Sequence, residues 1–157
     1  ALAQICSVAW TDRNRFSPAS PSEGTSELAA DVSQAADDVA PVNSLSGEAR
    51  AILFAARDRG IIELKAVNTA FDAAARLLAV YVEVTDERTI AFRDSHNPEV
   101  TVRFLDGFRE LCAAGYIIHH IYRDFSLSPA GFAAGKRIAR GEVQRWLDMA
   151  TEFGLHD

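Results

Sequence analysis

The chain has 157 residues, 48% of them hydrophobic, and a formal net charge of −6. That is enough apolar material for one sizeable core, and its negative field repels phosphate polymers and anionic membranes unless cations are gathered locally. Two cysteines, Cys6 and Cys112, stand far apart with no CxxC pair, which argues against a disulfide framework or a zinc finger. No apolar run approaches a membrane span, and ALAQICSVAW lacks the basic and long apolar regions of a signal peptide. A soluble cytoplasmic protein is expected, with no membrane partner.

From Thr11 to Ser46 the composition shifts to Ser, Pro, Asp, Ala and Glu around SPASPSEG. Such a segment buries too little surface to offset its ordering entropy, so residues 1–45 read as an arm or linker, with a short helix within SELAADVSQAADDV. The patterned domain is placed at 46–157. Ser46 is positioned to cap a helix through EARAILFAARDRG, where Ala49, Ile52, Leu53 and Ala56 recur at helical spacing and Gly60 ends it. IIELK then reads as a short strand.

TAFDAAARLLAVYVEV begins with helical spacing (Phe71, Ala74, Leu77, Leu78) and ends in alternation (Val80, Val82, Val84), which predicts helix to about residue 79. VYVEV and RTIAFR flank TDER and can form a hairpin, the alternative being a helix that continues to Glu83. Asn97-Pro98 starts a helix through VTVRFLDGFRELCAAG, with Val102, Leu105, Phe108 and Cys112 on its apolar face and Gly115 at its end. YIIHHIY and FSLS, separated by Arg123-Asp124, read as a tight hairpin. Ser128-Pro129 opens a last helix whose apolar side includes Phe132, Ala139, Val143, Trp146, Leu147, Ala150 and Phe153, with Gly141 a candidate break.

This order of helix, short strand, helix, helix, hairpin and helix resembles the winged-helix (winged helix-turn-helix) domain of bacterial regulators. The stretch LCAAGYI…FSLSPAGFAA carries the most specific part: a helix closing in leucine and glycine, an apolar strand, then a Leu-Ser/Thr-x-x-Gly junction into a helix. The resemblance spans about residues 46 to 132, although Val80 to Asn97 exceeds the short turn that joins the two DNA-facing helices of such domains. It implies an α+β fold with a small antiparallel sheet and a C-terminal helix.

The function it implies is double-stranded DNA binding, as in a transcriptional regulator. The helix at 98–114 would offer Arg103 and Arg109 to phosphates or guanine edges, the hairpin Arg123, and the last helix Lys136, Arg137 and Arg140. Residues 100–145 hold seven basic groups against four acidic ones, whereas residues 1–60 hold five against eight. The alternative is a winged-helix module that has lost DNA binding and mediates protein contacts, which suits the net negative charge. Trp146, Leu147, Met149 and Phe153 suggest either a homodimer seam through the C-terminal helix or packing onto the same domain.

Chemistry has less to stand on. His119 and His120 are adjacent on a strand, so their rings point to opposite faces and cannot readily share a metal. Cys112 sits on an apolar helix face, and Glu83 with Asp86-Glu87 reads as a solvated turn. No nucleophile elbow, phosphate loop or HExxH occurs. No enzyme activity, cofactor or metal is expected.

Overall fold

The computed structural model describes residues 39–66 and 77–154. A 3₁₀ turn at Val42–Ser44 leads into α1 (Gly47–Ala56) and β1 (Ile61–Ala66). A hairpin follows, β2 (Leu78–Thr85) and β3 (Arg88–Phe92), then α2 (Pro98–Ala113), β4 (Ile117–Ile121), β5 (Asp124–Leu127), α3 (Pro129–Arg137), α4 (Arg140–Leu147) and β6 (Thr151–Gly154). The described residues therefore form a mixed α+β fold with four helices and one antiparallel six-stranded sheet, ordered β4-β5-β1-β2-β3-β6.

The period-2 pattern of the strands sends one set of side chains to the core. Ile62 pairs with Val82 and Phe125, and Leu64 with Val80, which in turn meets Phe92 across the β2–β3 ladder. All six are buried beneath α1 and α2. Phe104 of α2 tilts against Phe92 at 4.9 Å, and Phe108 meets Phe125 edge-on at 4.9 Å. From Ala49 to Ala56 only Arg50 escapes burial, because α1 has neighbours nearly all round. Its Glu48 and Ala49 meet α2 at Gly107, its Gly47 meets Trp146 of α4, and its Leu53 and Arg57 meet α3 at Gly135. At 100° per residue those two contact sets lie on different flanks, so α1 stands between α2 and the α3–α4 pair.

Several expectations are corrected. The helix predicted to about residue 79 falls partly outside the described residues, and Leu78–Val80 is strand: the alternation of Leu78, Val80, Val82 and Val84 overrides the alanine-rich helical start. The hairpin forms, and not the alternative helix to Glu83, with Asp86 and Glu87 between β2 and β3. The sheet is not small, because this hairpin and β6 extend it beyond β1. On α2 the buried face is Val100, Thr101, Phe104, Phe108 and Leu111, while Val102 is 47% exposed. The last helix breaks at Ile138-Ala139, both in extended backbone, and not at Gly141. Packing also reaches upstream of Ser46: Leu45 is buried and Val39 and Val42 lie against the core. The short helix expected within residues 26–39 lies outside the described residues except for Val39. No helix among the described residues is long and apolar enough to cross a membrane.

Candidate nucleic-acid interface

The helix expected to read DNA is α2. Asn97 caps it by accepting from the Glu99 amide at 3.2 Å, with Pro98 at its first position. Its outward side presents Glu99, Val102, Arg103, Asp106 and Arg109. Arg103 Nη2 lies 2.6 Å from Glu48 Oε1, a carboxylate only 10% exposed on α1, and Arg109 lies 3.8 Å from Asp106. Both arginines thus answer carboxylates of their own chain. Glu110 works inside the fold. Its carboxylate accepts from the Ser46 amide at 3.1 Å and from the Ser46 hydroxyl at 2.6 Å, while Ser46 Oγ accepts from the Ala49 amide at 3.2 Å. One carboxylate of α2 thereby fixes the N-cap of α1.

Arg123 stands exposed in the β4–β5 turn. The turn residues are Tyr122 and Arg123, one position earlier than the spacing predicts, because the ladder shifts register between His119 and Ile121 and absorbs an extra residue. Tyr122 takes φ = 50° and is 83% exposed. The histidines do part to opposite faces: the His119 ring stacks on Phe125 at 4.6 Å, and His120 Nε2 lies 2.7 Å from Ser126 Oγ. No group of three His, Cys, Asp or Glu among the described residues could hold a metal ion.

Lys136 and Arg137 end α3 and Arg140 begins α4, all exposed. Arg140 Nε donates to Gln144 Oε1 at 2.9 Å, and none of these three has a carboxylate within ion-pair distance among the described residues. Arg50, Arg57, Arg59, Arg88, Arg103 and Arg109 all do, Arg59 bridging Glu83 at 2.7 Å and Asp86 at 2.6 Å. The junction into α3 is built by Ser128, whose hydroxyl accepts from the Gly131 amide at 3.1 Å and donates to the Gly115 carbonyl at 2.8 Å. Gly131 is required there, since a Cβ would come within 2.3 Å of the Tyr116 carbonyl oxygen.

The six basic residues singled out in the sequence stand on different elements: Arg103 and Arg109 on α2, each beside a carboxylate, Arg123 at the hairpin tip, and Lys136, Arg137 and Arg140 at the α3–α4 junction. The surface the sequence reading missed is apolar. Ile61 and Ile118 flank Ser126 in one cross-strand row on the sheet face away from α1, and Ile121 shares that face through its pairing with Asp124. With Tyr122 they supply four of the five exposed large hydrophobic residues among the described residues. The signal was in IIHHIY, which is apolar at positions bound for both faces of the strand. The chain matches no protein-family model, no curated protein and no solved structure.

Proposed function

We propose that this chain is a winged-helix-like module that acts by protein contact and not by reading DNA. The carrying observation is the outer sheet face and its β4–β5 turn, where Ile61, Ile118, Ile121 and Tyr122 are 42%, 43%, 58% and 83% exposed beside the strand β4 that ends the sheet among the described residues. Exposed apolar side chains gathered on one face are what a partner covers, and an edge strand offers unpaired backbone groups as well. The winged-helix part of the reading draws support from the succession α1, β1, α2, β4, β5, α3, with the β4–β5 hairpin pairing on β1. It draws further support from the Leu127-Ser128-Pro129-Ala130-Gly131 junction. The β2–β3 hairpin departs from that pattern, and Trp146, packed on Gly47, leaves little for a homodimer through the C-terminal helix.

A second reading, a DNA-binding regulator, is favoured by one observation: Arg123, Lys136, Arg137 and Arg140 carry no carboxylate partner among the described residues. Fluorescence anisotropy with mixed-sequence duplex DNA across a salt series separates the two. The protein-contact reading expects no saturable binding even at low salt, together with capture of a partner from cell extract that Ile118→Asp/Ile121→Asp abolishes. Salt-dependent DNA binding lost in an Arg123/Lys136/Arg137/Arg140→Ala variant would reverse the order, because released counterions leave that signature.

A further inference from the structure

Among the described residues the sheet ends at β4, and the direction of the backbone groups along that end follows from the ladder. In an antiparallel pair, successive residues turn their N–H and C=O groups alternately to one neighbour and to the other side. The Ser128 amide donates to the Tyr116 carbonyl at 2.9 Å, so Tyr116 and Ile118 address β5, while Ile117 and His119 turn their backbone groups away from the sheet. From Ile117 to His119 the pairing with β5 is regular, and the bulge that could bend the edge out of reach comes only after it. Ile117–Ile121 also lacks the lysine, proline or carboxylate with which edge strands are commonly guarded. Two outward residues two positions apart fix how a second strand can join. With another copy of β4 running antiparallel, Ile117 lies opposite His119 of the second copy and His119 opposite its Ile117, which gives two closely spaced pairs and four backbone hydrogen bonds. Ile118, 43% exposed, then meets its own counterpart across the two-fold axis.

The charges match under the same axis. Counted outward from Ile118, Arg123 of one copy comes opposite Ala113 of the other, at the C-terminal end of α2. That helix has no basic residue in its last turn, and its Ala113 and Ala114 carbonyls accept no hydrogen bond from a described residue, so its end carries unanswered partial negative charge. Arg123 in turn has no carboxylate within ion-pair distance among the described residues, and no Asp or Glu occurs between Glu110 and Asp124 to be brought against its own copy. We propose that the chain forms a homodimer in which two copies of β4 pair antiparallel about Ile118 and each Arg123 docks on the C-terminal end of the other α2. The dimer rests on the protein-contact reading and names a second copy as the partner. A second copy is favoured over an unrelated strand because the outward backbone groups, the exposed isoleucine and the cation all find their complement by one two-fold rotation.

So short an edge makes a weak dimer. Sedimentation velocity on the full chain from about 1 to 200 μM should show the mass rising from one chain toward two, with a half-point on the order of 10 μM. Arg123→Glu, at an exposed turn position, should raise that half-point about fivefold or more and leave the urea midpoint unchanged. The register is read by Ile118→Cys on a Cys6→Ser/Cys112→Ser background. Oxidised glutathione should convert that variant to a disulfide-linked dimer, because opposed residues of a pair without backbone hydrogen bonds hold their Cα atoms about 4.5 Å apart, within disulfide range. Ile61→Cys on the same background is 42% exposed on the same face but two strands in from the edge, and should stay monomeric. A mass of one chain across the whole range would overturn the dimer; partner capture that still fell with Ile118→Asp/Ile121→Asp would then leave the protein-contact reading standing. Equal disulfide yields at residues 61 and 118, or a half-point indifferent to Arg123→Glu, would overturn the edge-to-edge arrangement.

Discussion

Arg103 is the residue at which a functional and a structural role predict different outcomes. As a DNA contact it would be dispensable to the fold; as the partner of Glu48 it offsets the charge of a carboxylate buried in the first turn of α1. Removing one member of such a pair strands the other, although the half-exposed guanidinium limits the loss through solvent screening. Arg103→Ala is expected to cost about 1–2 kcal/mol in urea unfolding. A double-mutant cycle with Glu48→Gln should show coupling, and additive losses would exclude the pair as the cause. Gly107 makes a second such point, since a Cβ there would sit 2.8 Å from the Ala49 backbone nitrogen, which cannot swing aside. Gly107→Ala should separate α1 from α2 at a cost of about 1–3 kcal/mol, read as a lower urea midpoint, whereas Gly141→Ala, facing open space, should not destabilise.

At the scale of elements, the β4–β5 hairpin combines apolar exposure with backbone strain. A tyrosine at φ = 50° occupies a conformation that suits Gly, Asn or Asp, and it costs about 1–3 kcal/mol unless something else makes use of it. Tyr122→Asn should therefore raise the unfolding midpoint while weakening partner capture. A loss of stability would mean that the ring packs usefully within the chain. This hairpin also shows what was legible in the sequence. Apolar runs around a short polar break announced its existence, and Ser128 with Pro129 announced the helix after it, because turns and caps are local chemistry. Its register was not legible, since the extra residue at His120 is set by pairing with β5. The same division runs through the rest of the fold. The β2–β3 hairpin and α2 were readable from periodicity, but β6 was not, because Thr151–Gly154 becomes a strand only by pairing on β3. Nor was Val102 placed correctly: its helical spacing matches the buried face, and only the direction from which α1 and the sheet approach α2 leaves it outside. The candidate basic residues could be named from sequence, whereas the Glu48 carboxylate that answers Arg103 comes from the tertiary arrangement.

For the molecule as a whole, Tyr116 links the α2–β4 junction to a segment distant in sequence. It follows α2, leads into β4 and donates its hydroxyl to Ala40, thereby holding the segment before α1 against the core. Burial pushes its phenol above the ordinary value of 10.0, and the charge of Arg137 draws it partly back. The sign of the pH effect follows from that direction. The folded state keeps the proton more tightly than the unfolded chain, so the stabilisation is fully present below the unfolded value and is lost as pH rises through the raised folded value. The phenolate also loses the ability to donate to Ala40, so the same titration that lowers stability releases the upstream segment. Tyr116→Phe should cost about 1 kcal/mol at neutral pH by deleting the hydrogen bond. It should also flatten the alkaline loss of stability, measured as urea midpoints at increasing pH above 9 to about 11. An alkaline slope unchanged by the substitution would place the titrating group elsewhere. A flattened slope accompanied by earlier proteolysis near residue 40 would identify Tyr116 as the tie that holds the residues just before α1 against the core.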